Sequence, residues 1–384
     1  MPAIVPLRRA LPNALCAAAA LLLIRPAAYD PDMESCLGAL LPLLARERAA
    51  GRATALAVLL STVGSTYQRP GTLLLIAANG EYAGLLSGGC LEGDLAEHAR
   101  AVIDSGEARR VTYDLRDPND LVWGLGAGCE GAMHVLLLRV GPLEHWQPLA
   151  HFAEAFAAHT PTAVGLIAET QDAQLALGTV MLANDAPGTL ATAVRAALES
   201  ASRSAEPGWL ELTGLCRLFL LPLALPPRVL LLGAGPDAPP LVRLAAELHW
   251  KVTVLDHRSA LAAPARFPAA ERVMLSRPES LLKAVDPSTF EAAIVMTHQL
   301  EMDREYLRAL AATPLPYIGL LGPPARAARL LGELGTEASA LRERLHAPVG
   351  LNLGGRSPEA IAVSIVAEIL AFLHGRLQAA APLG

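Results

Sequence analysis

The sequence predicts a two-domain α/β chain in which an amino-terminal mixed α/β domain is followed by a doubly wound parallel sheet. Three observations carry that expectation. The composition is 53% hydrophobic yet only 4% aromatic, which suits close-packed layers rich in Ala, Leu and Val. From Arg228 onward, short apolar runs alternate regularly with helical stretches, the pattern of consecutive βαβ units. The length of 384 residues exceeds what one core serves, at about 150 residues per domain.

Charge and cysteine usage narrow the partners. Against 37 Asp+Glu stand 31 Lys+Arg, a formal charge of −6. That balance lacks the basic footprint of a nucleic-acid binder, so nucleic acid is excluded as a partner. Five cysteines, Cys16, Cys36, Cys90, Cys129 and Cys216, are scattered without a C-x-x-C pair, which points to a reducing, cytoplasmic setting rather than a disulfide framework or structural zinc. Arg8 and Arg9 precede an apolar run from Ala14 to Ile24 that resembles a weak signal peptide and is too short to span a bilayer. Arg25-Pro26 closes it without a small-x-small cleavage site. Residues 1–32 therefore read as a disordered or mis-annotated extension, with Met33 as the candidate start and no membrane association. A mean hydropathy of +0.37 leaves apolar surplus of the kind a homodimer interface hides.

Each element has its own reason. Met33 to Ala50 reads as a helix, and Thr54 to Ser61 as a buried strand because its apolar run is short and continuous. Thr72 to Ala77 and Glu81 to Ser87 form a hairpin about Asn79-Gly80, since both turn residues tolerate positive φ. A helix follows over Leu91 to Ile103, then strands over Val111 to Leu115, Ala132 to Val140, Ala163 to Ala168 and Leu175 to Leu182, with helices near Leu143 to Ala158 and Thr189 to Ala201. The proline-rich stretch from Leu221 to Pro227 punctuates the chain, giving domains over 33–222 and 223–384. Beyond it, Arg228 to Leu232, Lys251 to Asp256, Ala292 to Thr297 and Tyr317 to Leu321 read as buried parallel strands. Ser357-Pro358 opens a last helix to about Leu373 as N-cap and first helical residue.

Chemistry could sit in several places. Gly233-Ala234-Gly235 follows a strand and opens a helix, and Asp256 ends the next strand 21 residues beyond Gly235, the context of a Rossmann dinucleotide turn with an acid for a ribose hydroxyl. Pro236, Pro239 and Pro240 oppose this by removing N–H groups where an anion would be cradled. Cys90 follows Gly88 and Gly89 and precedes a helix, so the helix dipole would lower its pKa, while Glu92 and Asp94 oppose that effect. A buried, inert thiol is the competing reading. Cys129 sits in a glycine-rich loop, Gly124 to Gly131, whose successive N–H groups can form an anion-binding nest or simply a turn. Arg69, in the loop from Gly64 to Gly71, has the fork to grip a phosphate, though a solvated surface Arg is common. His298 ends a strand at the carboxyl edge, where open α/β sheets bind ligands.

In order along the chain these segments resemble the XdhC/CoxI family of xanthine dehydrogenase accessory factors. The resemblance rests on Gly64-Ser65, Arg69-Pro70-Gly71, Ser87-Gly88-Gly89-Cys90-Leu91-Glu92 and Gly126-x-Gly128-Cys129-Glu130-Gly131 in the first domain. In the second it rests on Pro226-Pro227 before Gly233-Ala234-Gly235, Asp256-x-Arg258, Arg266-Phe267-Pro268, Thr297-His298 with Asp303, and Tyr317-Ile318-Gly319-x-x-Gly322. Pro348-x-Gly350-Leu351 and the run from Ser357-Pro358-Glu359 to Ala367-Glu368-Ile369 complete it. The resemblance implies a cytoplasmic maturation chaperone, not a hydroxylase. Its cargo would be the molybdenum cofactor (molybdopterin), protected during sulfuration and delivered to a xanthine dehydrogenase-like apo-enzyme, with a cysteine desulfurase as second partner. A soft thiolate at Cys90, as a candidate contact to the molybdenum site, with Cys129 as a second candidate, would suit a sulfur-bearing metal complex, while Arg69 and the loop amides would hold its anionic parts.

Two other readings stay open at this point. One is an NAD(P)-dependent oxidoreductase using Gly233, Gly235 and Asp256, with His298 as proton donor. The other is a scaffold that docks its partners by an apolar surface.

Overall fold

The computed structural model describes residues 21–24, 36–89, 91–114, 116, 131–172, 175–183, 190–212 and 214–377. The chain divides into two compact units, Met1–Leu225 and Pro226–Gly384, at a point inside the proline-rich stretch.

The first unit contains β1 (Leu21–Ile24), α1 (Cys36–Ala49), β2 (Thr54–Gly64), β3 (Leu73–Ala77), β4 (Tyr82–Gly84), α2 (Glu92–Ser105), β5 (Arg109–Asp114), β6 (Gly131–Val140), α3 (Leu149–Ala157), β7 (Ala163–Thr170), β8 (Val180–Met181), α4 (Leu190–Ser204), β9 (Gly208–Leu212) and β10 (Cys216–Pro222). Two antiparallel sheets result, in the orders β4-β3-β2-β6-β5 and β1-β9-β10-β7-β8. Strand β2 shows why its sequence is a continuous apolar run. Leu56, Val58 and Leu60 join a core shared with Leu166 and Phe219 of the other sheet, while Ala55, Ala57 and Leu59 face Leu95, Ala99 and Val102 of α2. Successive side chains leave opposite faces of a strand, so a strand covered on both faces is apolar at every position. The second sheet repeats the arrangement, with Leu218 and Leu220 packed on α4 and Phe219 and Leu221 in the shared core.

Several expectations are corrected here. The helix expected from Leu143 begins only at Leu149, because His145 and Trp146 take positive φ and Pro148 stands at the N-cap. The strand expected over Leu175 to Leu182 shrinks to Val180–Met181. Strands β9 and β10 are additional to those expected: Pro222, read as punctuation, is the last residue of β10 and pairs with Ala163. Strand β1 pairs antiparallel with β9 from Leu21↔Leu212 to Ile24↔Trp209.

The second unit contains β11 (Arg228–Leu232), α5 (Ala238–Glu247), β12 (Lys251–Asp256), β13 (Arg272–Leu275), α6 (Leu281–Ala284), β14 (Ala292–Val295), α7 (Leu300–Ala311), β15 (Tyr317–Leu320), α8 (Pro324–Leu334), β16 (Leu345–His346) and α9 (Pro358–Leu373). Its six strands pair in parallel in the order β13-β12-β11-β14-β15-β16. This is the doubly wound, Rossmann-like order, with its switch point between β11 and β14. Val229 and Leu231 pack under α5 and α9, and Leu230 and Leu232 pack on the opposite side with α7 and α8. The edge strands β13 and β16 escape a sequence reading because they are short and half-exposed.

Candidate functional site

In the first unit, three of the singled-out segments meet at one end of the first sheet. The register of β2 against β6 shifts between Leu59 and Ser61, a β-bulge of the kind that re-aims a strand end. Beyond it the pair runs out to Gly64↔Gly131. The chain then loops through Arg69, whose carbonyl accepts the Thr72 N–H at 3.2 Å and its hydroxyl at 2.8 Å. The Arg69 side chain is exposed. Gly131 follows the glycine-cysteine loop in sequence and abuts this turn so closely that a Cβ there would lie 2.4 Å from the Ser65 carbonyl oxygen. On the other side, a Cβ on Gly88 would lie 3.7 Å from the Tyr67 ring, which places the Ser87-Gly88-Gly89 turn beside this loop.

That turn is organised by a residue whose role the sequence reading missed. Glu92 opens α2 and is 1% exposed. Its carboxylate accepts the N–H groups of Leu86 at 3.0 Å, Ser87 at 2.8 Å and Gly89 at 3.0 Å, and the Ser87 hydroxyl at 2.6 Å. The Ser87 oxygen in turn accepts the Leu91 N–H at 2.8 Å. Burial pushes the Glu92 carboxyl up, but the Ser87 hydroxyl and the surrounding N–H groups outweigh it and hold the pKa below the usual carboxylate range. Gly88 and Gly89, at φ +75° and +107°, supply backbone that side-chain-bearing residues rarely adopt. Glu92 is therefore engaged inward by four donors. Asp94 is likewise engaged, by the Tyr113 hydroxyl at 2.5 Å, and burial together with that carboxylate pushes the Tyr113 phenol well up. The signal available in the sequence was an acid placed just after two glycines.

Cys90, Cys129 and Gly128 lie outside the described residues. Their described neighbours Gly89, Leu91 and Gly131 are the ones just placed. Among the described residues no group of three His, Cys, Asp or Glu side chains is arranged to hold a metal ion. An apolar cleft in the same unit, lined by Leu37, Leu73, Phe152 and Leu223, encloses about 20 Å³, room for about one water.

In the second unit the carboxyl ends of the strands bring together Gly233, Gly235, Asp256 and His298. Gly233, at φ +125°, passes so close to β14 that a Cβ would lie 2.5 Å from the Met296 carbonyl oxygen. Asp256 is completely buried. It accepts the Ala234 N–H at 2.7 Å, the Arg258 N–H at 2.8 Å, and the Arg258 guanidinium through Nε at 2.9 Å and Nη2 at 2.7 Å. Burial raises its pKa, and the guanidinium with the two N–H groups lowers it further than burial raises it. The sequence expectation of an acid bonding a ribose hydroxyl meets a carboxylate already engaged at every acceptor position. His298 takes φ +62° and places Nε2 3.0 Å from an Asp237 oxygen. Asp303, also completely buried, accepts the Thr297 hydroxyl at 2.5 Å and the Arg326 guanidinium at 2.5 Å. Glu368 of α9 accepts the Gly350 N–H and faces His346 Nδ1 at 3.0 Å, tying two further motifs together.

Comparisons with known proteins accord with this architecture. Residues 47–114 match the family described as XdhC and CoxI, and residues 229–369 match the XdhC Rossmann domain. The chain is 32% identical over 321 residues to a Bacillus subtilis protein named as a probable xanthine dehydrogenase subunit, covering 82% of this chain and 92% of that one. It is 30% identical over 160 residues to the uncharacterized protein YqeB of Escherichia coli, covering 41% of this chain and 29% of the relative. A Bacillus halodurans crystal structure described as a xanthine dehydrogenase superposes with a TM-score of 0.71 at 29% identity, covering 91% of this chain and 98% of the other. No helix among the described residues is long and apolar enough to cross a membrane.

Proposed function

Because the chain belongs to the XdhC and CoxI family, we propose that it is an accessory protein that binds the molybdenum cofactor. On this reading it protects the cofactor during sulfuration and delivers it to a xanthine dehydrogenase-type apo-enzyme. One observation supports the reading above the others. The Arg69 loop, the Ser87-Gly88-Gly89 turn and Gly131 converge at one end of the first sheet, so the residues flanking both singled-out cysteines in sequence belong to that end.

The chemistry of such a cargo matches these residues. Molybdopterin carries a phosphate tail and a sulfur-rich metal centre. Arg69 and the loop amides suit the anionic parts, because guanidinium and successive N–H groups recognise phosphate. Cys90, with Cys129 as a second donor beside Gly128, offers a soft thiolate to the molybdenum side. Glu92 accepts the N–H of Gly89 and Ser87 that of Leu91, which keeps the backbone of both residues in place. The apo-enzyme and a cysteine desulfurase are the partners, the compartment is the cytoplasm, and a homodimer is the assembly.

The test is anaerobic binding of purified molybdenum cofactor to the wild type and to Cys90→Ala, followed by gel filtration and by metal and phosphate analysis. Co-elution with the wild type and loss with the variant are expected. Retention by the variant at the wild-type level would remove the thiol from the site, and absence of cofactor from the wild type would overturn the function.

A further inference from the structure

We infer that the dinucleotide crevice of the second unit is occupied by the chain's own side chains, with the Arg258 guanidinium in the place of the adenosine ribose, so that the unit takes no NAD(H), NADP(H) or FAD. The inference concerns the second unit alone and does not depend on the cofactor-binding reading of the first.

The fold and the glycine turn imply a dinucleotide, and each of its three anchor points can be compared with the residues present. At the ribose position, a carboxylate offers about four lone-pair sites. The two Asp256 oxygens receive four donors, three of them from Arg258 and one from Ala234. The planar guanidinium presents two parallel N–H groups, as a ribose diol presents two hydroxyls, and it carries a full charge besides. A ribose reaches Asp256 only by removing that charge from a completely buried carboxylate, which leaves the carboxylate without its counter-ion.

At the pyrophosphate position, binding depends on free N–H groups in the first turn of the helix. The first residue of α5, Ala238, donates its N–H to the Gly235 carbonyl at 3.2 Å. The next two, Pro239 and Pro240, have no N–H to give. The preceding residue, Asp237, turns its carboxylate to His298 Nε2 at 3.0 Å, which adds a negative charge at the same helix start.

At the second glycine, the pyrophosphate backbone must approach closely. A Cβ on Gly235 would already lie 3.2 Å from the His298 ring, and that ring is held by Asp237 at 3.0 Å. The approach to the glycine is thus narrowed by a half-exposed imidazole. Farther along the same edge, Arg326 pairs with Asp303 as Arg258 pairs with Asp256, so acid–base pairs close the strand ends one after another.

The experiment is isothermal titration of the full chain with NAD, NADH, NADP, NADPH, FAD and ADP-ribose, up to about 1 mM, the upper end of ordinary enzyme–substrate affinities. No saturable heat is expected for the wild type. Saturable one-to-one binding of any of the six overturns the inference. Arg258→Ala, checked for its fold by circular dichroism, uncovers the Asp256 carboxylate and is expected to bind adenosine, which carries the ribose without the pyrophosphate, at least about tenfold more tightly than the limit of about 1 mM set for the wild type. A folded Arg258→Ala chain that gains no affinity would show that Arg258 is not the occupant. Should that variant fail to fold, Arg258→Gln removes the charge while keeping a polar side chain, and is held to the same tenfold criterion.

Discussion

Glu92 and Ser87 hold each other through a 2.6 Å hydrogen bond from the hydroxyl to the carboxylate, and the same two side chains accept the N–H groups of Gly89 and Leu91. Gly89, before Cys90, is thereby held by the buried carboxylate itself, and Leu91, after it, by the Ser87 hydroxyl that the carboxylate orients. Replacing Glu92 by Ala removes the acceptor of the Leu86, Ser87 and Gly89 N–H groups and of the Ser87 hydroxyl and is expected to cost about 1–3 kcal/mol. Equilibrium urea unfolding of wild type and variant checks the figure.

The same carboxylate predicts an acid limb. Its folded pKa lies below the ordinary value of 4.5, so its contribution is complete above that value and is lost as the pH falls through the folded pKa. Stability measured between pH 7 and pH 3 should therefore fall less steeply for Glu92→Gln than for the wild type. Identical slopes would mean that the charge of Glu92 plays no part.

Gly131 and Gly89 separate crowding from backbone strain. An Ala at Gly131 would press its Cβ to 2.4 Å from the Ser65 oxygen, and backbone cannot yield cheaply, so a loss of about 1–3 kcal/mol is expected. An Ala at Gly89 meets open space but a φ of +107°, for which a loss of about 1–3 kcal/mol from local strain is expected. Only Gly131→Ala should also disturb the Ser65 and Thr66 resonances in an NMR spectrum.

Asp303 predicts the cost of breaking a buried pair. It is completely buried between Thr297 and Arg326, and Asp303→Ala leaves the guanidinium without its partner, at a cost of about 3–5 kcal/mol. Chemical denaturation measures this, and a loss below about 1 kcal/mol would mean that Arg326 finds another partner.

Cys216 is an internal control for thiol reactivity. It is 5% exposed, and burial, followed by the charges of Asp172 and Glu211, pushes its thiol up to about 11. Iodoacetamide at pH 8 should leave it unmodified in the native protein and label it in urea, as read by peptide mass spectrometry.

Elements whose signals are local were legible in the sequence. The continuous apolar runs of β2 and β11 announced strands covered on both faces. Asn79-Gly80 announced the hairpin, with Gly80 at φ +86°, and Ser357 capped α9 as expected, accepting the Ala360 N–H at 3.2 Å. The order of motifs also carried the family, since it depends only on succession along the chain. Tertiary structure alone decided what those residues do to one another. Pro222 reads as a breaker in any local window, yet Ala163 on a distant strand makes it the end of β10. Asp256 and Arg258 stand two residues apart in every reading of the sequence, but burial decides that they bond each other rather than a ligand. Glu92 looks like one more acid at a helix start until packing seals it from water, and a buried carboxylate must then be satisfied by whatever donors lie nearby. The Arg69 turn and Gly131 lie some sixty residues apart and meet only because β2 pairs with β6, a long-range register that no local window contains.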